Sequence, residues 1–192
     1  MRIGVLAVQG AFEEHISILK QLGVEAVPVR LPHQLAGLDG LIIPGGESTS
    51  ISRLISRYNL LSEITDMARD GLPILGTCAG MILMSNGITD DKIKSLGMMD
   101  IKIKRNAFGR QRESFEAELL IPVLGDEPFP GVFIRAPIIE QANGTVEIIT
   151  SLADGTSVAA RQGKLFACAL HPELTNDLRF HKYFLDIIAG QL

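Results

Sequence analysis

The sequence has few cysteines and no excess of positive charge, and these absences argue against several classes of protein. Only 2 cysteines occur among 192 residues, without a Cys-x-x-Cys pair, so neither a disulfide framework nor a zinc site is expected. The formal net charge of −4 argues against a broad basic surface for nucleic acid. No apolar run approaches the length that crosses a membrane. We therefore expect a protein without a bound metal, in a reducing, cytoplasmic compartment.

We also expect neither a domain boundary nor an export signal in this sequence. There is no low-complexity tract, internal repeat or Pro/Ser-rich linker, so residues 1–192 are expected to form a single domain. The first eight residues, MRIGVLAV, have the pattern of a core strand rather than of a signal peptide. A chain of this length can bury a full core.

Apolar segments alternate with amphipathic segments through the first half of the chain. Strands are predicted at residues 3–8, 24–29, 41–43 and 72–75. The first is continuously apolar, as in a parallel strand that is covered on both faces. Residues 12–22 and 51–58 carry apolar side chains at helical spacing. The alternation predicts an α/β fold with a doubly wound, mixed but mainly parallel sheet and helices on both faces.

The second half has shorter strands, separated by turn residues such as Asn143-Gly144. They are predicted at residues 101–104, 115–121, 131–135, 146–150, 157–161 and 165–170. This part is expected to pair in antiparallel or mixed fashion. A last helix is predicted from about residue 176, with Phe180, Phe184 and Ile187 on one face.

The sequence GTCAG at residues 76–80 lies between a predicted strand and the apolar segment 81–84. Glycines on both sides of Cys78 fit a sharp strand-to-helix turn, where a β-carbon would collide with neighbouring backbone. Such a turn lifts the thiol clear of the sheet, and the amides at the start of the helix favour the thiolate. We interpret the segment as a nucleophile elbow; the alternative is a buried cysteine on a core strand.

The sequence HPE at residues 171–173 directly follows the predicted strand 165–170. Residues two apart on a strand point the same way, so His171 and Glu173 can project to one side. A thiol needs a base, and the base needs an orienting partner, which together give a Cys-His-Glu triad with Cys78. The alternatives are a core or capping histidine and a solvated glutamate. Cys168 is expected to be buried packing.

The sequence PGGEST at residues 44–49 offers two glycines at the end of a predicted strand. Their expected role is an oxyanion hole, formed by the N–H groups of Gly46 and Ala79. A phosphate loop is the competing interpretation, but the G-x-x-x-x-G-K-[ST] pattern is absent. A helix N-cap by Ser48 or Thr49 is compatible with the oxyanion role. Because ligands sit at the carboxyl ends of parallel strands, these glycines, Cys78 and Gln9 should gather at one edge.

The elbow and the HPE motif together resemble the class I (triad) glutamine amidotransferases. Further segments resemble one branch of that class, the glutaminase subunits of pyridoxal 5′-phosphate synthase. They are residues 4–11 (GVLAVQGA), 44–49 (PGGEST), 105–111 (RNAFGRQ), 133–137 (FIRAP) and 171–175 (HPELT). The similarity extends from Ile3 to the last helix, without a departure at the catalytic positions.

The resemblance implies a role for each matching residue. Cys78 would be the nucleophile, with His171 and Glu173 as the charge-relay pair. The glutamine site would be formed by Gly46, Glu47, Ser48, Arg105, Ile134 and Arg135. A surface salt bridge is the alternative for each of the two arginines, since charged residues are mostly solvated. Gln9 either contributes to the site or only shapes the oxyanion loop.

The resemblance also implies an activity and a partner. The activity is hydrolysis of L-glutamine to L-glutamate and ammonia through a γ-glutamyl thioester, without a cofactor. The partner is a (β/α)8-barrel synthase subunit in a large hetero-oligomer, which uses the ammonia, ribose 5-phosphate and glyceraldehyde 3-phosphate to make pyridoxal 5′-phosphate. Such glutaminases work poorly alone, and a peptide flip at Gly45-Gly46 is a sensible switch for their activation.

Three rival interpretations stay open on the residues alone. A Cys-dependent peptidase or hydrolase would use the same elbow on peptides or esters. A regulatory subunit that only binds the synthase would not need Cys78. Among the amidotransferases, the glutaminase of imidazole glycerol phosphate synthase is the nearest alternative, and the motif at residues 105–111 argues against it.

Overall fold

The computed structural model describes residues 1–89, 93–109 and 113–191. Its strands are β1 (Arg2–Leu6), β2 (Glu25–Val29), β3 (Gly40–Ile43), β4 (Ile74–Thr77), β5 (Ser85–Ile88), β6 (Met99–Lys104), β7 (Ser114–Leu119), β8 (Phe129–Ile134), β9 (Ile138–Ala142), β10 (Glu147–Ser151), β11 (Ser157–Gln162) and β12 (Leu165–Cys168). Its α-helices are α1 (Phe12–Gln21), α2 (Ser48–Arg57), α3 (Leu60–Arg69), α4 (Ala79–Met84) and α5 (Arg179–Ile188). Short 3-10 helices lie at Pro32–Leu35, Pro122–Leu124 and Pro172–Leu174.

The main sheet has the strand order β2-β1-β3-β4-β12-β11-β9-β6-β5, with β10 paired to β11. The neighbours from β2 to β12 are parallel. Beyond β12 the pairs are antiparallel until β5, which is parallel to β6. The strands β7 and β8 form a separate antiparallel pair. The predicted mixed, mainly parallel sheet is confirmed.

Helices cover both faces of this sheet. A β-carbon on Gly40 of β3 would meet Ile188 of α5, and one on Gly76 of β4 would meet Met84 of α4. Gly76 is paired with Ile43, which lies three residues after Gly40 on the same strand. Residues an odd number apart on a strand point to opposite faces. The helices α5 and α4 therefore cover opposite faces, as the strand–helix alternation predicted.

Several boundaries differ from the sequence-based prediction. The strands β5 and β9 were not predicted, because SNGI and IIEQA are short and half polar, which weakens the alternation of a half-buried strand. The first strand ends at Leu6 and the last strand at Cys168, so both are shorter than predicted. The last helix begins at Arg179 rather than near residue 176. Just before this start, the Asp177 carboxylate accepts the Arg179 backbone N–H at 3.0 Å.

The parallel part of the sheet positions the candidate site. Because β1, β3, β4 and β12 run in the same direction, their carboxyl ends meet at one edge. The residues that follow these ends are Gln9, the glycine pair 45–46, Cys78 and His171.

Within the described part of the chain, every helix is too short or too polar to cross a bilayer. The extent of the single domain, residues 1–192, stays a prediction.

Candidate active site

Cys78 occupies a strained turn between β4 and α4. Its φ of 46° lies in the left-handed region, which is rare for a residue other than glycine. Its backbone N–H donates to the Cys168 carbonyl at 2.7 Å, which fixes the turn against the neighbouring strand. The two flanking glycines are required by packing, since a β-carbon on Gly80 would strike the Ile43 carbonyl and one on Gly76 would strike the α4 backbone at Gly80. The strained turn therefore presents the thiol at the edge of the sheet.

His171 and Glu173 lie beside this turn, but not in the way that strand periodicity predicted. The strand β12 ends at Cys168, and His171 instead precedes the 3-10 helix Pro172–Leu174. This tight turn, rather than a strand, brings His171 Nδ1 to 2.7 Å from Glu173 Oε1. The His171 backbone N–H donates to the Val132 carbonyl at 2.8 Å. Both side chains are buried, so their mutual orientation is firmly held.

The imidazole of His171 is hydrogen-bonded to Glu173 and lines the cavity together with Cys78. Glu173 Oε1 accepts a hydrogen bond from Nδ1–H, which leaves Nε2 as the ring nitrogen available to Cys78. Burial disfavours the protonated ring, but the interactions with Cys78 and Glu173 outweigh burial and raise the pKa of His171 to about 10. At neutral pH the arrangement therefore favours the imidazolium form of His171.

The segment after β3 lies directly against this pair. A β-carbon on Gly45 would collide with the His171 ring and would come within 3.4 Å of Cys78 Cβ. The Gly45 N–H donates to Thr77 Oγ1 at 3.0 Å, and the Gly45 carbonyl accepts from the Ala11 N–H at 3.0 Å. Only glycine can approach the imidazole this closely, and its two hydrogen bonds fix the peptide that leads to residue 46.

Gln9 shapes the next peptide of the same segment. Its side-chain oxygen accepts the Glu47 backbone N–H at 2.9 Å, and a β-carbon on Gly46 would lie 2.6 Å from that oxygen. The Gly46 N–H has no acceptor among the residues that the structure describes. Ala79 is the first residue of α4, where backbone amides lack an intrahelical acceptor. Both predicted oxyanion donors therefore lie next to the triad without a helical partner.

A cavity of about 300 Å³ opens over the thiol. Its lining consists of Gln9, Gly46, Glu47, Ser48, Cys78, Ile82, Arg105, Asn106, Ile134, Arg135 and His171. Every residue predicted for the glutamine site is in this set. Arg105 and Arg135 are part of this lining, and neither forms a salt bridge with another described residue. Arg110 and Gln111 of the RNAFGRQ motif lie outside the described residues.

The comparison with protein-family models gives one match that covers almost the whole chain. Residues 5–189 match the SNO glutamine amidotransferase family. The chain belongs to the SNO glutamine amidotransferase family.

Similar proteins extend over the full length of this SNO family member. The pyridoxal 5′-phosphate synthase subunit PdxT of Herpetosiphon aurantiacus is 55% identical over 190 residues, which cover 97% of this chain and 100% of that protein. The subunit PdxT of Pelotomaculum thermopropionicum is 53% identical and covers 100% of this chain and 98% of its own.

Two solved structures are also similar to the chain. A crystal structure of a glutamine amidotransferase matches with a TM-score of 0.93 at 44% identity, covering 98% of this chain and 100% of that chain. A putative GMP synthase protein of Thermoplasma acidophilum matches with a TM-score of 0.69 at 18% identity, covering 100% of this chain and 95% of that chain. The second likeness concerns the fold alone.

Glu47 caps the N-terminus of α2, a role that the sequence analysis considered for Ser48 or Thr49. It is the N-cap of α2, and its carboxylate accepts the backbone N–H groups of Thr49 at 3.0 Å and Ser50 at 2.7 Å. Desolvation works against its ionisation, but hydrogen bonds from Ser50 and Thr49 outweigh it and lower the pKa of Glu47 to about 2. The predicted N-cap at Ser48 or Thr49 is wrong, because α2 begins at Ser48 and its N-cap is Glu47.

Sequence reasoning missed several polar residues around the SNO family site. Asn106 lines the cavity, whereas Thr77, His15 and His181 lie behind the triad. One signal was available, since His15 occupies the apolar face of α1, four residues before Leu19. A histidine at such a position is either satisfied in the core or functional, and spacing alone does not separate the two.

Proposed function

We propose that this SNO family member hydrolyses L-glutamine to L-glutamate and ammonia and delivers the ammonia to a pyridoxal 5′-phosphate synthase. The observation that carries the proposal is the buried imidazole of His171, which is hydrogen-bonded to Glu173 and lines the same cavity as the Cys78 thiol. A thiol, a base and an orienting carboxylate in this arrangement are equipped for acyl transfer. The family match supplies the substrate class, an amide of glutamine.

In the first step the Cys78 thiolate attacks the side-chain amide carbon of glutamine. The carbon–sulfur bond forms, and the carbonyl electrons move to oxygen. The oxyanion is expected to be stabilised by the N–H groups of Gly46 and Ala79, each worth roughly 3–4 kcal/mol in the transition state. His171 then donates a proton to the leaving nitrogen, the carbon–nitrogen bond breaks, and ammonia and a γ-glutamyl thioester result.

In the second step water replaces the thiolate. The now neutral His171 removes a proton from water, which attacks the thioester carbon. Collapse of the second tetrahedral intermediate releases L-glutamate and restores the thiolate–imidazolium pair. Glu173 keeps the imidazole in one tautomer through both steps, because its carboxylate accepts a hydrogen bond from Nδ1–H.

The cavity also offers groups for the α-amino-acid end of glutamine. An arginine can form two parallel hydrogen bonds with a carboxylate, and Arg105 and Arg135 have no internal salt bridge among the described residues. The carbonyl of Ile134, which lies 3.9 Å from Cys78 Sγ, is the proposed acceptor for the α-ammonium group. Glu47 and Ser48 complete this part of the proposed site, at the start of α2.

The proposed partner is a (β/α)8-barrel synthase subunit in a large hetero-oligomer. The support is the name that relatives carry, subunit PdxT of pyridoxal 5′-phosphate synthase, at up to 55% identity. Ammonia is easily lost to solvent, so direct transfer to a second active site is chemically sensible. We expect weak glutaminase activity without that subunit. The proposed compartment is the cytoplasm, where a thiol nucleophile stays reduced.

The test is ammonia release from L-glutamine by the chain alone and by its complex with the synthase subunit, for wild type and for Cys78→Ala. We expect release that rises on complex formation and that Cys78→Ala abolishes. A Cys168→Ala variant is the matched control, since Cys168 is fully buried and burial raises its pKa well above the usual value, which keeps it as an inert thiol.

Other outcomes would favour the rival functions. Cleavage of peptides or esters, without action on free glutamine, would identify a Cys-dependent hydrolase. Normal synthase function with Cys78→Ala, measured with glutamine as the nitrogen source, would identify a regulatory subunit. Strong turnover of glutamine by the isolated chain would contradict the proposed dependence on the partner.

A further inference from the structure

Three fully buried polar side chains lie directly behind the triad, and the glutaminase mechanism does not use them. His15 comes from α1, Thr77 from the end of β4 and His181 from α5. Each is 0% exposed. Burying polar groups is costly unless they are hydrogen-bonded. Three such groups from three separate elements, together at the back of a reactive site, therefore need an explanation.

The His15 ring contacts the other two groups and Glu173. Its Nδ1 lies 2.8 Å from His181 Nε2, and its Nε2 lies 3.2 Å from Thr77 Oγ1. The same Nε2 lies 3.4 Å from Glu173 Oε2. Apart from this longer contact, Glu173 Oε2 is a buried carboxylate oxygen without a hydrogen-bond partner among the described residues. The oxygen that does not face His171 thus relies on His15.

Both rings of the pair are neutral at physiological pH. Burial, reinforced by the nearby His181 and His171 rings, lowers the pKa of His15 well below its ordinary value. Burial likewise lowers the pKa of His181 to about 4. A neutral imidazole carries one N–H, so its orientation matters. A proton on His15 Nε2 points at the Glu173 carboxylate, whereas a lone pair there would face the same negative charge.

This contact selects one tautomer for each ring. His15 Nε2–H is shared between Glu173 Oε2 and Thr77 Oγ1, and His15 Nδ1 accepts the Nε2 proton of His181. The remaining His181 Nδ1 is then a lone pair without a partner among the described residues, which is consistent with the buried nitrogen found there. The opposite assignment would leave an unpaired buried N–H on His181 as well as a repulsive contact at Glu173.

We propose that His15 is a positioning residue, which His181 orients and which holds the Glu173 carboxylate and the Thr77 hydroxyl in one fixed arrangement behind the reaction centre. The role rests on the proposed glutaminase function. Glu173 is hydrogen-bonded to His171, and Thr77 Oγ1 accepts the Gly45 backbone N–H at 3.0 Å. The buried His15 Nε2–H therefore links Glu173, which orients the base His171, with Thr77, which holds the segment that contains Gly46.

The test uses two amide substitutions of the same residue. In His15→Gln the amide nitrogen can occupy the place of Nε2 and still donate to Glu173. In His15→Asn the side chain is one methylene shorter, so its amide reaches only the place of Nδ1 and the contact with Glu173 is lost. Both variants are neutral and polar. Their difference therefore reports the Nε2 contact rather than the loss of a histidine.

In the complex with the synthase subunit, kcat for ammonia release should fall about 10- to 100-fold in His15→Asn, as is typical when a partner that orients an active-site group is removed. His15→Gln should stay within roughly threefold of wild type, and KM for glutamine should change little in either variant, because His15 does not line the cavity. Leu19→Ala, one turn along α1, controls for loss of stability without loss of the contact.

A second measurement does not depend on glutamine. Iodoacetamide alkylation of Cys78, located by mass spectrometry, reports how reactive the thiol beside His171 is in the chain alone. In His15→Asn a loosened Glu173 should weaken its hold on the His171 proton, so alkylation should slow at pH 6 but not at pH 9. Leu19→Ala and His15→Gln should follow wild type at both pH values.

Several results would overturn the proposal. Equal kcat values for His15→Asn and His15→Gln would show that the Nε2 contact does not matter, as would an unchanged alkylation rate at pH 6 in His15→Asn. A loss in Leu19→Ala as large as in His15→Asn would show a purely structural role. If wild type released no ammonia from glutamine in the complex, the proposed function would fail, and the alkylation profile would still decide the role of His15.

Discussion

The behaviour of the candidate site depends most on one side chain, His171. It is buried, and its interactions with Cys78 and Glu173 outweigh burial, which leaves its pKa at about 10. Replacing either residue should therefore lower the pKa of the ring. The residue that sets the orientation of the imidazole is Glu173, which approaches Nδ1 to 2.7 Å.

Glu173→Gln should therefore abolish most of the activity without unfolding the protein. The amide keeps the shape but removes the negative charge, and its N–H₂ group can push the imidazole into the wrong tautomer. We expect a loss of at least about 100-fold in kcat, by analogy with triads whose carboxylate becomes an amide. The measurement is ammonia release by the complex across pH 5 to pH 10, since the variant should also lose the high pKa of His171.

The matched control for this variant is Glu63→Gln, on the exposed surface of α3. It makes the same chemical change far from the thiol and should keep wild-type turnover. Wild-type turnover in Glu173→Gln would mean that His171 needs no orienting carboxylate, against the interpretation of the triad.

At the scale of elements, the site is made by chain segments that leave adjacent parallel strands. The turn after β4 raises Cys78, the segment after β3 brings Gly45 against the His171 ring, and the segment after β1 brings Gln9 to the Glu47 amide. Each segment contains a glycine, at residue 10, 45 or 80, whose β-carbon would collide with a neighbouring segment or side chain. The backbone therefore contributes to the site as much as the side chains do.

Gly45→Ala tests this close approach. A β-carbon at Gly45 would displace the His171 imidazole from Cys78, so we expect about a 100-fold loss in kcat, comparable to the removal of one catalytic interaction. Gly45 does not have a positive φ, so alanine fits its backbone conformation and the fold should survive. Ammonia release by the complex and thermal unfolding of the chain give the two readouts.

Gly87→Ala in β5 is the matched control, because its β-carbon would make only an ordinary contact with Lys102, at 3.5 Å. Its turnover and melting temperature should stay close to those of wild type. A fully active Gly45→Ala enzyme would show that the segment after β3 can retreat from the imidazole at little cost.

At the scale of the whole molecule, buried histidines make the stability depend on pH in two opposite directions. The folded-state pKa of His181 is about 4, below its ordinary 6.5, so the unfolded chain binds more protons between these values. Stability from His181 is therefore complete above pH 6.5 and is lost as the pH falls toward 4. The folded-state pKa of His171 is about 10, so its contribution is complete below pH 6.5 and is lost as the pH rises toward 10.

We therefore expect the free energy of unfolding to be greatest near pH 6.5 and to fall on either side. On the acid side, each buried neutral histidine should contribute a slope of about 1.4 kcal/mol per pH unit. Urea unfolding of wild type and of His181→Gln between pH 4.5 and pH 7 measures this slope, which the variant should reduce. His33→Gln changes an exposed histidine and should keep the wild-type slope. An identical slope in His181→Gln would contradict a buried, neutral His181.

Much of this molecule follows from local sequence. The alternation of apolar and amphipathic segments predicted the parallel strands, and parallel strands bring their carboxyl ends to one edge, so the meeting of Cys78, His171 and the glycines at residues 45–46 could be anticipated. The glycines around Cys78 predicted a sharp turn because backbone packing there excludes a β-carbon. Resemblance, rather than spacing, supplied Arg105, Arg135 and the other cavity residues.

The tertiary structure alone decided what surrounds the triad. His15 meets Thr77 and His181 across separations of 62 and 166 residues, and no local pattern encodes such contacts. Gln9 and Glu47 acquired their hydrogen-bonding roles in the same way. A neutral, buried histidine is stable only when several elements close around it at once. Its role is therefore a property of packing, whereas the turn at Cys78 is a property of neighbouring residues.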